Sequence, residues 1–519
     1  MNPFRRSELA GVVLTLCAGL SACAGGSGTG RSTSTGTSTG TSTGTGAAGT
    51  ANGGGAAGGS LQSSEFLVNV TVSGLIGSLE LGDGKTGGLL DVRKSGTYTL
   101  SSAFPGGVYD VAISTQPLGM ECVAANPNGT MPEHVITVDI SCSTGASSVA
   151  YAFSGQNGDG ATPMGGLAPL AGGRFLGATS AGGDYGCGTL YSLDVGGPVP
   201  AEQVTQAFQG AAALGTPFQV ADPGYPVYPP TLMSNGAYVG TTSEGGSNNG
   251  GTLYTMLANG SVTVVHSFAV GADPTSPLLD VNGTYYGTTW SGGSFGEGTF
   301  FQYQPAEGLT TLAEFGATNV APIYPFGRMV LSSENQQIYG VAEGTPVVSS
   351  SAGTLGGVYT IAPGSSAISF ICAPTSASSP IDPSGGLAAA VNGTMYGLSA
   401  YGGSDGMGTL YEVLPSSNTC RVLYNFTGTT ADGGDPAGSP LVAADGDLYV
   451  QTTIGGANGT GAVVVFSPNG TLLGTLYSFS SGSGPQQPIG ALVEGPGASL
   501  YGVTSAGGPS NNGTIFRID

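Results

Sequence analysis

Nine side chains in this sequence have the types and settings to touch a ligand. Asp159, Asp184, Glu244, Asp273, Glu297, Asp405, Asp432 and Asp435 are carboxylates set among glycines in turn-like segments, and Trp290 is the only tryptophan. Carboxylate oxygens with glycine carbonyls are a donor set for calcium, or for the hydroxyls of a polyol such as a sugar. An exposed indole is a platform on which a sugar ring stacks. The same residue types are ordinary in solvated turns, and Trp290 fits packing between structural units equally well. No D-x-D-x-D-G calcium loop is present, so calcium is an option that no motif enforces.

Catalytic residue types are scarce. His134 lies near a turn, and His266 sits inside the apolar run VTVVHSF. GGSFG (292–296) and GGSDG (402–406) match G-x-S-x-G. A hydrolase elbow, however, needs a strand, the serine and then a helix, whereas these segments lie in repeated hairpin loops. No His/Cys cluster has metal-ligand spacing, so no catalytic residue is assigned. An enzyme acting on polysaccharide, a lyase or hydrolase, would need a non-repeated cluster of His, Tyr, Arg or Glu, and ten Lys and Arg in all do not assemble one. Charged residues are 8% of the chain, far below the roughly 25% of an average globular protein, and the net charge is −21. That balance repels phosphate backbones and excludes nucleic acid as an expected partner.

The amino terminus reads as an address. Arg5 and Arg6 precede a short apolar core, Leu9 to Leu20, which is too short for a comfortable membrane span. The segment ends Leu20-Ser21-Ala22-Cys23, which resembles the lipobox of bacterial lipoproteins. Cys17 follows Leu16, where that motif wants a small residue. The resemblance implies a signal peptide over 1–22 and lipidation of Cys23. It also implies anchorage to the outer membrane, because Ala24 is not the aspartate that retains such proteins at the inner membrane. Residues 23–60 then supply a Gly/Ser/Thr tether with a reach of roughly 35 Å.

Over 61–145, FLVNVTVSGL, GTYTL, VYDVAIS and VITVDIS alternate apolar and polar residues between turn signals. That pattern predicts a small β-sandwich. It resembles an immunoglobulin-like module common in bacterial surface lipoproteins and is expected to act as a stalk. In an exported protein Cys122 and Cys142 should form a disulfide. Cys372 and Cys420 lie near the last strands of neighbouring units, where a second bridge is an option, leaving Cys187 as the odd thiol.

The rest of the chain repeats. GRFLGATSAGGDYGCGTLY begins at Gly173, and copies begin at Gly236, Gly283, Gly393, Gly446 and Ala498. A degenerate copy, QQIYGVAEGTPVVSSSAGTLGGVYTI, lies between the third and fourth of these. Each unit reads as four short strands: an apolar run with proline, an xYGTT strand, a GG-x4-G turn, a GTLY strand, and a last strand ending in phenylalanine. Self-similarity at roughly fifty residues means a solenoid or a propeller. The last copy stops before its fourth strand, and SSVAYAF (147–153) is a spare strand ahead of the first copy. Exchange of that strand would close a ring. The expected fold is therefore all-β, a seven-bladed β-propeller over 146–519 preceded by the small sandwich.

The signature xYGTTxxGGxxxxGTLY resembles the tandem repeat known as GloVer, found in proteins with varied surface anchors. That family has no established activity, so the resemblance implies architecture and no catalytic residues. The expected function is non-catalytic binding or scaffolding at the bacterial outer membrane, with the membrane, a glycan or an envelope protein as partner. The alternatives are a polysaccharide-active enzyme and a structural part of an envelope assembly.

Overall fold

The computed structural model describes residues 65–196, 200–208, 223–317, 322–344, 356–372, 380–480 and 482–519. Cys23 and the segments expected to be a signal peptide (1–22) and a tether (23–60) lie outside the described residues. From Glu65 onward the chain is all-β and forms one compact unit.

The first part comprises two four-stranded sheets. One orders its strands Gly96–Ala103, Phe66–Ser73, Ile136–Thr144 and Met120–Ala124; the other orders them Leu89–Val92, Leu79–Asp83, Val108–Thr115 and Asn128–Thr130. Alternation does the work locally: Val68, Val70 and Val72 of the first strand all point into the core. Cys122 and Cys142 stand directly opposite one another on neighbouring strands and are joined by a disulfide. With a sequence separation of 20, the bridge contributes about 3 kcal/mol by restricting the unfolded chain.

The small part is not a free stalk. Its core continues into Leu476, Leu500, Phe516 and Ile518 of the repeat region. Asp447, completely buried, accepts from Ser78 Oγ at 3.0 Å and pairs with Arg93 Nη1 at 3.0 Å. Gly119 N donates to Ala498 O at 2.7 Å. Apolar burial with a buried charge held between the parts fixes one docking geometry.

The repeat region consists of antiparallel meanders of four strands, the second with its first strand split into Pro223–Pro226 and Thr231–Leu232, and the fourth and fifth bridged at Arg328 and Gly386. The first comprises Gly160–Leu170, Arg174–Gly182, Thr189–Asp194 and Ala201–Ala207. Others lie over 223–267, 279–314, 323–372, 380–425 and 434–478. The last takes three strands from 485–518 and its fourth from Ser147–Ala152, which pairs antiparallel with Thr514–Ile518. One end of the region is thereby stitched to the other, and both edges that a linear array would expose are consumed. A second disulfide, Cys372–Cys420, joins the outer strands of the fourth and fifth meanders.

The signature residues pair across strands. The glycine of YG lies opposite the last aromatic of GTLY: Gly177 with Tyr191, Gly240 with Tyr254, Gly287 with Phe301, Gly340 with Tyr359, Gly397 with Tyr411, and Gly502 with Phe516. In each, the ring occupies the space a side chain on the glycine would need; a Cβ at Gly240 would stand 2.5 Å from Tyr254 Oη. The sixth meander changes both partners together, setting Val450 opposite Val464. Two residues along, threonine hydroxyls meet across the same strands: Thr179 with Thr189 at 2.8 Å, Thr242 with Thr252 at 2.7 Å, Thr504 with Thr514 at 2.7 Å. Loop glycines such as Gly402, Gly403 and Gly408 all take positive φ, which a side chain would strain.

The natural Val450/Val464 pair sets a test. Gly397→Val alone should destabilise by about 3 kcal/mol through overpacking, and Tyr411→Val alone by about 3 kcal/mol through the cavity left. The double variant should recover at least about 1 kcal/mol of the sum. Additive losses in denaturant unfolding would show that ring and glycine are not coupled.

Candidate functional site

In each repeat the chain enters the innermost strand through a residue followed by proline. Thr162, Tyr225, Asp273, Tyr324, Asp435 and Gln487 hold this position, and all have positive φ, between 48° and 57°. Sterics disfavour that conformation for non-glycine residues and steer pre-proline residues toward extended backbone. The surroundings enforce it. Tyr225 N donates to Cys187 O at 2.7 Å, Tyr324 N to Glu297 O at 2.9 Å and Asp435 N to Met407 O at 2.9 Å, each time to the loop of the preceding meander. A hydroxyl from the same meander holds the carbonyl: Ser180 on Thr162 O, Ser243 on Tyr225 O, Thr453 on Asp435 O. The GG-x4-G loops and these strained entries thus form one rim, where most of the candidate residues lie.

The rim brings some of them together. Asp273 has Glu244 as an electrostatic neighbour, and burial followed by that like charge pushes its carboxyl up to about 6. Trp290 stacks on Tyr324 of the next meander, with centroids 4.4 Å apart and planes at 17°. It serves packing between meanders, and its Nε1 is buried without a partner. Burial, then a hydrogen bond and the negative charge of Glu297, pushes the Tyr324 hydroxyl up to about 12. The second carboxylate oxygen of Glu297, Oε2, is buried and unpartnered.

Others serve their own loops. Asp432 is buried and accepts from Thr427 N, Thr427 Oγ1, Thr429 N, Thr429 Oγ1 and Tyr424 Oη at 2.7–3.2 Å. Burial alone would raise its pKa, but these bonds outweigh it and the net shift is downward. Its acceptor sites are consumed within the turn. Asp435 takes Thr453 Oγ1 at 2.7 Å, and burial raises its pKa. Asp184 and Asp405 stand exposed at loop tips.

The serine motifs behave as loops. Ser294 Oγ donates to Glu314 at 3.1 Å and Ser404 Oγ to Asp405 at 2.7 Å. His266 packs edge-on against Phe268, and burial lowers its pKa; His134 is exposed. Cys187 is a free, buried thiol whose pKa burial raises, an unreactive setting. Among the described residues, no group of three or more His, Cys, Asp or Glu is placed to hold a metal ion.

Sequence reasoning missed three features of this rim. Tyr324, like Tyr225, occupies the pre-proline position where three other copies carry aspartate, a substitution visible once the copies are aligned on their prolines. Tyr185 and Phe295 hold the same position in two GG-x4-G loops and are 46% and 52% exposed. Glu202 comes from an unremarkable outer strand, yet it meets Asp159 and Tyr151 where the ring closes. Burial first, then the charge of Asp159, pushes Glu202 up to about 7, only partly offset by a hydrogen bond with Tyr151. Asp159 meanwhile accepts from Ser154 N and Oγ at 2.6 and 2.7 Å.

A carboxyl whose pKa is higher folded than unfolded binds protons on folding. Its stabilising effect is full below the unfolded value near 4.5 and is lost as pH rises through the folded value. Glu202 and Asp273 should therefore make the protein less stable at pH 8 than at pH 5.5. Glu202→Gln should flatten that slope by on the order of 1–2 kcal/mol once partial solvent exposure is allowed for. Thermal unfolding across this window checks it, and a slope unchanged in the variant would count against the assignment.

The family model described as the Gloeobacter/Verrucomicrobia repeat matches residues 119–355 and 344–519. No curated protein matches the chain. Among solved structures, a streptogramin B lyase and the virginiamycin B lyase of Staphylococcus aureus each align over 72% of this chain, and over 97% and 99% of their own, at 11% identity and a TM-score of 0.46. A puromycin-hydrolyzing peptidase of Mycobacterium tuberculosis aligns over 72% of this chain and 52% of its own, at 13% identity and a TM-score of 0.44. At such identities no activity passes from those proteins to this one. With a tandem match running from residue 119 to the last residue, the chain belongs to the Gloeobacter/Verrucomicrobia repeat family.

Proposed function

We propose that this chain is an outer-membrane lipoprotein, anchored through Cys23, whose propeller-type ring binds a ligand without transforming it. The observation that carries the reading is the pair of exposed aromatic rings at equivalent loop tips, Tyr185 and Phe295. Exposed aromatics among polar neighbours are costly to leave in water and are the preferred contact residues of binding surfaces. Asp184 stands beside Tyr185, and the Glu244/Asp273 carboxyls lie on the same rim. Aromatic platforms next to carboxylate acceptors suit a glycan, the rings covering sugar C–H faces and the oxygens accepting hydroxyls. Calcium could join the carboxylates as a bridge to such hydroxyls.

A polysaccharide-cleaving enzyme is the second reading. It would rest on Tyr151, Asp159 and Glu202, where a carboxyl pushed up to about 7 adjoins a second one, a pattern that recurs at acid–base sites.

The full-length chain in detergent, probed on a glycan array with and without calcium, tests the binding reading. Wild type should bind reproducibly, and Tyr185→Ala and Phe295→Ala should each weaken binding about tenfold without loss of thermal stability. An array without signal in either condition would reject a glycan and direct the search to envelope proteins. Fragment release from a bound polysaccharide, abolished by Glu202→Gln, would favour the enzyme instead. For the anchor, Cys23→Ala should move the protein from the membrane pellet to the soluble fraction.

A further inference from the structure

The meanders meet at the hub of the ring through backbone and side-chain contacts along their inner strands. Gly327 N donates to Thr275 O at 3.3 Å, Arg328 bridges in parallel to Gly386, Ser439 Oγ donates to Gly385 O at 3.2 Å, and Gln451 Nε2 donates to Gly490 O at 3.0 Å. The circuit closes on the first meander: a Cβ at Gly490 would stand 2.5 Å from Gly166 N. Three residues past the entry proline, the seven units carry Gly166, Pro229, Pro277, Arg328, Gly386, Ser439 and Ala491. Six of these are small or cyclic. Arg328 alone is long and charged.

Arg328 is exposed to solvent while Gly327 and Met329 on either side are buried. Burial nonetheless lowers its pKa. A side chain that water reaches from an innermost strand, yet that protein surrounds, is directed toward the axis of the ring. Among the described residues no acidic group contributes to that shift. Two other arginines of the ring form ion pairs, Arg421 with Glu412 and Arg517 with Asp519, while Arg174 lies exposed at a strand end. Arg328 has no ion pair or side-chain hydrogen bond among the described residues. Close by, Thr275, whose carbonyl accepts Gly327 N, leaves its buried Oγ1 without a partner. A guanidinium has five donors in a planar fork that matches carboxylate and phosphate oxygens, and leaving it unpaired inside a protein is unfavourable.

We propose that Arg328 is the anchor of an oxyanion-binding site in the central channel, taking a small carboxylate- or phosphate-bearing ligand. The site is independent of the aromatic rim, so either can fail without the other. The net charge of −21 repels anions from the outer surface, so the channel selects a ligand small enough to enter and able to satisfy the fork with two oxygens.

Isothermal titration calorimetry on the full-length chain, at matched ionic strength, tests this with acetate, inorganic phosphate and sulfate. At least one should bind, and Arg328→Gln should weaken it tenfold or more. Arg174→Gln, on an exposed strand end, should leave it unchanged. Preference for acetate identifies a carboxylate ligand, and preference for phosphate or sulfate a tetrahedral one; either supports the site. Equal binding by wild type and Arg328→Gln, or no binding of any of the three, overturns it. If Arg328→Gln does not fold, wild type can be labelled with an arginine-selective dicarbonyl reagent and its peptides weighed. Protection of Arg328 by the anion supports the site, and labelling unaffected by anion rejects it.

Discussion

An aromatic ring seated in the space of a missing side chain is the contact on which the repeat depends. Once Gly397 lies opposite Tyr411, the two strands are in register, because a slip of one residue would turn the ring to the other face. The threonine hydroxyls two positions along hold the same register with a hydrogen bond that needs no water. Both contacts sit at the point where strands leave the GG-x4-G loop, so a single cross-strand match orients strand, loop and the entry to the next meander. The sixth meander shows that shape complementarity, more than either residue type, is what is kept: Val450 and Val464 fill together what glycine and ring fill elsewhere.

The larger architecture is built on that contact. Each meander alone would expose two edges and two apolar faces. Stacking covers the faces, and the strand Ser147–Ala152, donated from ahead of the repeats, covers the last edge. The same exchange brings the start of the repeat region beside its end, and the small two-sheet part is held there by Asp447 and by the apolar residues of the last meanders. Cys372–Cys420 adds a covalent tie between two outer strands that are otherwise joined only by packing.

Local rules hold almost everywhere in such a repeat, so the positions that break them are informative. Strain is concentrated at the pre-proline entries, and a web of backbone and hydroxyl hydrogen bonds over-determines it. Against that regular background Tyr185, Phe295, Tyr324, Glu202 and Arg328 are departures. Each puts chemistry at a place where most other copies carry a smaller or plainer residue, and each lies on the rim, at the seam or in the hub, where meanders meet.

The amino-acid sequence by itself determined the all-β class, the four-strand grammar of each unit, the positive-φ loop glycines and the strand left over for ring closure. These stem from local periodicity and turn chemistry, which are written into neighbouring residues. It also pointed to the Cys122–Cys142 bridge, since the two cysteines flank the last part of the small β region. Only the tertiary structure decided that Trp290 packs on Tyr324, that Asp432 is spent within its own turn, that Cys372 and Cys420 meet, and that the small part is docked. It also decided that Arg328 is exposed on an innermost strand, with no ion pair among the described residues. Each of these depends on which meander lies beside which, and on what burial and neighbouring charge then do to a side chain. Residues far apart in the chain set those quantities, and no pattern in the nearby sequence carries them.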